Sequence, residues 1–211
     1  MTGRNRFFAA LVKDARERGE ELAEWLNEGD TAARCEHAAV WVDERARLPH
    51  PDGAGTWAED GQRVSFLLEY DIGTEHLGVL AGKLDGYRVL AAALAWHGES
   101  CPVLLFCFGS PRREQAARRA LAATSEAAGL RIATAAIDPR LTSPAGPVWL
   151  PLPVPAGGQV RRAGLEQALP DPWQDYRERR PRERRQAADR EQALRDAGPD
   201  DEPGTAGEAF R

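Results

Sequence analysis

The stretch AGTWAEDGQRVSFLLEYD, residues 54–71, decides the fold. Two extended runs, about Ala54 to Ala58 and Arg63 to Asp71, flank Glu59-Asp60-Gly61-Gln62. An Asp-Gly pair between extended runs is the strongest short-range hairpin signal, because both central residues of the tight turn need a left-handed backbone. The second strand ends in Glu69-Tyr70-Asp71. The period-2 pleat puts both carboxylates on one face and Tyr70 on the other.

Outward from the hairpin, Gly73 and Thr74 end the strand, and Thr74 is expected to cap a helix running to about Trp96. Leu77, Leu80, Leu84, Tyr87, Ala91 and Leu94 step by three and four and form its buried face. Val103 to Phe108 is apolar without alternation, as in a central strand covered on both faces. Ser110-Pro111 opens a further helix to about Ala128, with a polar cap and proline at its first position. Gly129 stops it, and Ile132 to Ile137 reads as another strand, followed by a proline-broken segment with Val148-Trp149-Leu150.

Upstream, Phe7, Phe8, Leu11, Val12, Ala15, Leu22, Trp25 and Leu26 fall mostly at helical spacings, which predicts one amphipathic helix from about Asn5 to Asn27. Ala38 to Val42 fits either a strand or a helix end, and Leu48 to Gly53 is a turn-rich stretch. Helices interposed between strands predict an α/β sandwich with a partly parallel sheet and a β-hairpin, over residues 5–152. From residue 153 to 211 proline, glycine and charge dominate, which predicts a flexible tail with one possible short helix after Arg185.

At 211 residues, 42% hydrophobic and 29% charged, the chain has the composition of one ordinary globular domain with an appendage. Its apolar runs are too short to span a membrane. MTGRNRFF lacks the apolar core of a signal peptide, so the cytoplasm is the expected compartment. Cys35, Cys101 and Cys107 make neither a disulfide framework nor a paired metal motif, and read as small hydrophobes. A net charge of −5 argues against a wholly basic nucleic-acid binder.

Chemistry centres on Glu69 and Asp71. Asp52, in the preceding turn, is placed to approach the same strand end and complete three oxygen ligands of the kind Mg²⁺ prefers. Lys83 lies about 50° from the centre of its helix's buried stripe, within reach of that strand end. The alternative is structural: Asp52 serving the turn, Glu69 and Asp71 at a strand edge, and Lys83 laying its stem along the helix. Arg112 and Arg113 occupy a first helical turn, where the macrodipole disfavours cations, so they read either as a solvated turn with Glu114 as neighbour or as groups placed to meet a phosphate or carboxylate. RERRPRERR, residues 177–185, with Arg179, Arg180, Arg182, Arg184 and Arg185, reads as a solubilising tail or as an arm on nucleic-acid phosphates. Trp57 and Trp149, in apolar strand-like contexts, read as core.

PDGAGTW (51–57), FLLEYDIGTEHLGVLAGKLDGY (66–87), PVLLFCFGSPRRE (102–114) and PAGPVWLPL (144–152) together resemble the replication-relaxation proteins of actinobacterial plasmids and integrative elements. The resemblance spans roughly residues 5–152. Members typically carry a winged-helix region before this domain, whereas this chain begins almost at the first domain helix. The arrangement is also similar to the PD-(D/E)xK nucleases: Pro51-Asp52 before a hairpin, an acidic pair on the next strand, then a crossover helix and a strand. Asp71 stands where that pattern normally has lysine. The resemblance implies a restriction-endonuclease-like sandwich and a DNA-processing accessory role in plasmid or mobile-element replication or relaxation. A metal-dependent nuclease would use Asp52, Glu69 and Asp71 as Mg²⁺ ligands, with Glu69 and Lys83 catalytic. The rival is a non-catalytic module that binds DNA or other replication or relaxation proteins.

Overall fold

Asp60 and Gly61 both adopt the left-handed backbone, at φ 49° and 77°, and close a two-residue hairpin in which Glu59 faces Gln62. This turn matches the right-handed twist of its flanking strands. The computed structural model describes residues 3–40, 47–73, 75–124, 127, 129–152 and 163–165. In chain order the elements are α1 (Gly3–Arg18), β1 (Glu21–Asn27), α2 (Glu28–Ala38), β2 (Gly53–Glu59), β3 (Gln62–Asp71), α3 (Leu77–Trp96), β4 (Val103–Phe108), α4 (Pro111–Ala122), β5 (Ile132–Ala136) and β6 (Leu150–Leu152).

The six strands form one sheet in the order β1-β2-β3-β4-β5-β6. β3, β4 and β5 run parallel through the crossover helices α3 and α4, while β1, β2 and β6 are antiparallel to their neighbours. The result is the expected mixed α/β architecture with a hairpin. β4 is buried along its whole length, as its unalternating apolar sequence requires. Two cores lie on opposite faces of the sheet. One joins Leu80, Leu84, Tyr87 and Leu121 of the crossover helices to Leu67, Phe106 and Ile132. The other joins Phe7, Phe8 and Leu11 of α1 to Trp57, Phe66, Leu105 and Trp149. Trp57 and Trp149 are fully buried, as expected of core residues.

The single helix expected over Asn5 to Asn27 is two elements. Gly19, at φ 75°, takes the left-handed position that ends α1, and its N–H and that of Glu20 both bond to the Ala15 carbonyl. Glu21–Asn27 then forms an edge strand. The helical spacing of Leu22, Trp25 and Leu26 has a local cause. The register slips between Leu22 and Glu24, so Ala23 is an extra bulged residue and Leu22 and Trp25 come to the same face. Leu22 packs toward the α1-side core and Leu26 toward the opposite one.

Elsewhere the boundaries move by a few residues. α2 ends at Ala38, and Trp41 and Val42 lie outside the described residues. Thr74 also lies outside them. α3 starts at Leu77 after His76, which makes no side-chain capping bond, so the expected threonine cap is not the first turn of this helix. At α4, Ser110 accepts from the Arg113 N–H and Pro111 occupies the first turn, as expected. The helix stops at Ala122 rather than near Ala128. Buried Glu114 on α4 accepts from the Thr134 hydroxyl, and Arg118 donates to Thr134 and to the Leu150 and Pro151 carbonyls, tying α4 to β5 and β6. Ala163 bridges to Trp149, and Leu165 is buried in the α1-side core.

The chain divides into Met1–Asp171 and Pro172–Arg211. The second unit, with Arg179, Arg180, Arg182, Arg184 and Arg185, lies outside the described residues. All three cysteines are free, and burial pushes the Cys35 thiol up to about 11 and Cys101 to about 12, consistent with inert hydrophobes. Among the described residues, no helix is long and apolar enough to cross a membrane.

The corner between α1 and β1 is held by a group of charges. Arg18 reaches Glu20 at 3.4 Å and Glu59 at 3.7 Å, while the Trp57 indole N–H donates to Glu59 at 2.9 Å. Among the described residues, Glu20 Oε2 is buried with no cation or N–H donor beside it. Burial, together with the neighbouring Glu59 carboxyl, pushes the Glu20 pKa up to about 7. Its unfolded value is about 4.3, so the folded state holds the proton more tightly. Stability from this corner is full below about pH 4 and declines as pH rises toward 7. Urea midpoints measured from pH 4.5 to 8 are expected to fall over this window. In Glu20→Gln that part of the decline should vanish.

Candidate functional site

β3 outruns β2 at its carboxyl end, and the acids gathered there meet that mismatch in three different ways. Asp52 precedes β2, and its backbone N–H bonds to the Leu68 carbonyl at 2.8 Å. Its Oδ2 accepts from the Tyr70 N–H at 2.8 Å, so the side chain extends a ladder that β2 no longer supplies. The other oxygen, Oδ1, accepts from Arg4 of α1 at 2.8 Å, and Arg4 also pairs with Glu28.

Glu69 and Asp71 point to the face covered by α3 and α4, as the pleat predicts. Glu69 is 3% exposed. A carboxylate so deeply buried requires partners for both oxygens. Tyr87 donates its hydroxyl to Oε1 at 2.6 Å, and Lys83 donates its ammonium to Oε2 at 2.8 Å. Lys83 and Tyr87 are one turn apart on α3, so one helical face delivers both donors. Lys83 also reaches Glu75 at 3.2 Å. Asp71 Oδ1 accepts from the Gly73 N–H at 2.6 Å, and Oδ2 from Arg113 Nε at 2.7 Å. Arg113 also donates to the Glu75 carbonyl.

The electrostatics follow from burial. Burial raises the Glu69 pKa, and the Lys83 ammonium and Tyr87 hydroxyl pull against that rise. For Lys83, burial alone would favour the neutral amine, but Glu69 and Glu75 outweigh it and the net shift is upward. Tyr87 is raised well above its ordinary value by burial and by the adjacent Glu69 charge, which keeps it a hydrogen-bond donor.

This geometry separates the expected site into its parts. Lys83 does sit beside Glu69, as the margin of its helix allows. Arg113 meets the carboxylate rather than the phosphate of the two anions considered, and Arg112 stays exposed on the first turn of α4. Among the described residues, no group of three or more His, Cys, Asp or Glu is arranged to hold a metal ion. Asp52, Glu69 and Asp71 have the oxygen chemistry Mg²⁺ prefers, but each is held by its own cation, and the arrangement does not fit a shared ion. The sequence reading missed Arg4 and Glu75. It also read Tyr87 only as core, although its place one turn after Lys83 could have flagged a second donor. Arg4 lies 48 residues from Asp52 and carries no local signal.

The fold and site define a mixed α/β domain in which Glu69 and Asp71 of β3, and Asp52 beside them, are tied by separate ion pairs to α3, α4 and α1. Residues 1–104, just under half of the 211-residue chain, match the family model described as Replication-relaxation. The match supports that family over the segment from α1 into β4, which holds Arg4, Asp52, Glu69, Asp71, Lys83 and Tyr87. No curated protein and no solved structure matches the chain.

Lys83→Met keeps most of the stem packing and strips the buried Glu69 of its cation. It is expected to destabilise the fold by about 1–3 kcal/mol at neutral pH. Glu69 would then favour its protonated form, so the deficit against wild type should shrink as pH is lowered toward 5. Denaturant titration of both proteins at several pH values measures this. A deficit independent of pH would contradict the ion-pair role.

Proposed function

We propose that the chain is an accessory protein of plasmid or mobile-element replication or relaxation, and that its α/β domain is a binding module rather than an enzyme. One observation carries this reading: all six carboxylate oxygens of Asp52, Glu69 and Asp71 are taken by donors of the protein itself. Seating a divalent ion, which needs several of those oxygens, would strip Lys83, Arg113 or Arg4 from buried or half-buried partners. In this reading the PD-(D/E)xK-like pattern is a scaffold whose acidic residues have become structural. The family match supports the replication or relaxation setting.

A Mg²⁺-dependent nuclease is the second reading, and the 2.8 Å contact of Lys83 with Glu69 is what favours it, since a lysine beside an acid is part of that pattern. Incubating the full chain with supercoiled and single-stranded DNA in Mg²⁺ or Mn²⁺ separates the two. No cleavage above a no-protein control is expected. Metal-dependent nicking abolished in Asp52→Ala/Glu69→Ala would establish the enzyme instead.

DNA contact is assigned to Arg179, Arg180, Arg182, Arg184 and Arg185 in the 177–185 run, with exposed Arg112. Replacing those five tail arginines by glutamine in the full chain is expected to weaken binding to a random duplex. The slope of log affinity against log salt should become shallower by about 0.9 for each phosphate the tail no longer neutralises. An unchanged slope would remove the tail from the DNA interface.

A further inference from the structure

β1 is the edge of the sheet: β2 pairs with its inner side, and among the described residues no strand pairs with its outer side. Such an edge presents backbone N–H and C=O groups to any extended chain that can approach it. The bulge at Ala23 interrupts the edge, so regular pairing is offered along Glu24–Asn27. At this segment opens a cavity of about 330 Å³, lined by Arg4, Phe8, Trp25, Glu28 and Asp52 among others.

Trp25 is the distinctive group in that cavity. It is 52% exposed, although a tryptophan buried in either core would contribute far more to stability. Its ring rests on Phe8, with centroids 5.3 Å apart and planes inclined by 30°. This holds the indole in place and leaves much of it open. An indole fixed in this way is a platform for a cation, because the ring face carries negative quadrupolar charge.

The charge around the platform selects the occupant. Glu21, Glu24, Glu28 and Asp30 are exposed along β1 and the first turn of α2, and Asp52 lines the cavity. Among the described residues, two guanidiniums stand against these five carboxylates, each already engaged: Arg4 with Glu28 and Asp52, and Arg34 with Glu24. The surface is therefore net negative, which repels nucleic-acid phosphates. It also opposes pairing with a second copy of β1, which would set Glu21 and Glu24 against acids of the same edge.

We propose that this edge docks an extended, basic segment of a partner protein, which adds a strand beside β1 and lays one arginine on Trp25 with its guanidinium held by Glu28. Backbone pairing supplies affinity, and the Trp25–Glu28 seat selects the cationic side chain. Nothing in this inference depends on whether the chain cuts DNA, and its failure would leave the DNA assays above untouched.

The test uses the full chain and a fluorescein-labelled peptide of about eight residues alternating threonine and arginine, followed by anisotropy. A matched peptide N-methylated at every residue keeps the charge but offers no backbone N–H to either edge. Binding is expected to fall at least about tenfold with the N-methyl peptide and in Trp25→Ala, and severalfold in Glu28→Gln, whose exposed side chain makes loss of folding a poor explanation. Equal affinity for the two peptides, or binding unmoved by both substitutions, would overturn the proposal in favour of plain Coulomb attraction. Absence of binding up to about 1 mM peptide would overturn it as well. So would binding of a labelled oligothymidylate that is lost in Trp25→Ala, or a dimer whose formation is blocked by Trp25→Ala.

Discussion

A carboxylate is buried on the central part of the sheet, and much of the domain's arrangement follows from keeping it paired. Glu69 retains only 3% of its exposure. An isolated charge in such a place is costly enough that the group would give up its charge or the site would open. Lys83 and Tyr87 meet both oxygens from one face of α3, which sets the rotation of that helix about its axis and its position along the sheet. Leu80, Leu84, Leu90 and Leu94 pack on the same side of α3 but, being non-directional, would tolerate a wider range of rotations.

The other two acids extend the same principle to the remaining layers. Asp71 draws Arg113 from the first turn of α4, and Asp52 draws Arg4 from the first turns of α1 on the opposite face. Three helices are thus referenced to one strand end, each by its own cation. Arg113 shows how a local disadvantage is offset: a cation near a helix N-terminus is disfavoured by the macrodipole, but here a buried carboxylate and a backbone carbonyl are both in reach. Each acid of the strand end therefore has a cation in contact, whereas Glu21 and Asp30 at the β1 edge add carboxylates beyond those that Arg4 and Arg34 meet. The two acidic regions consequently have different capacities for partners, although in the sequence both appear simply as runs of glutamate and aspartate.

The hairpin, the buried central strand, the crossover helices and the pairing of Glu69 with Asp71 on one face were all legible in the sequence. Each rests on a short-range signal: a turn dipeptide, an unbroken apolar run, a helical period or the alternation of a strand. The first helix was misread because a one-residue bulge gives a strand the three-residue spacing of a helix. Gly19 carried the correct information, but a glycine inside an apparently helical pattern is compatible with either a stop or a tolerated interruption.

What the sequence by itself determined is the elements from the hairpin to β5 and the face each presents, because pleat and helical period are properties of neighbouring residues. What only the tertiary structure decided is which cation meets which acid. Lys83 could be placed near Glu69 because strand and helix are consecutive. Arg113 with Asp71, and Arg4 with Asp52, are separated by 42 and 48 residues, and only the parallel crossover and the docking of α1 bring them together. An acid on a strand is the same residue whether it awaits a metal or already holds an arginine, and long-range packing chose the second state for Asp52 and Asp71.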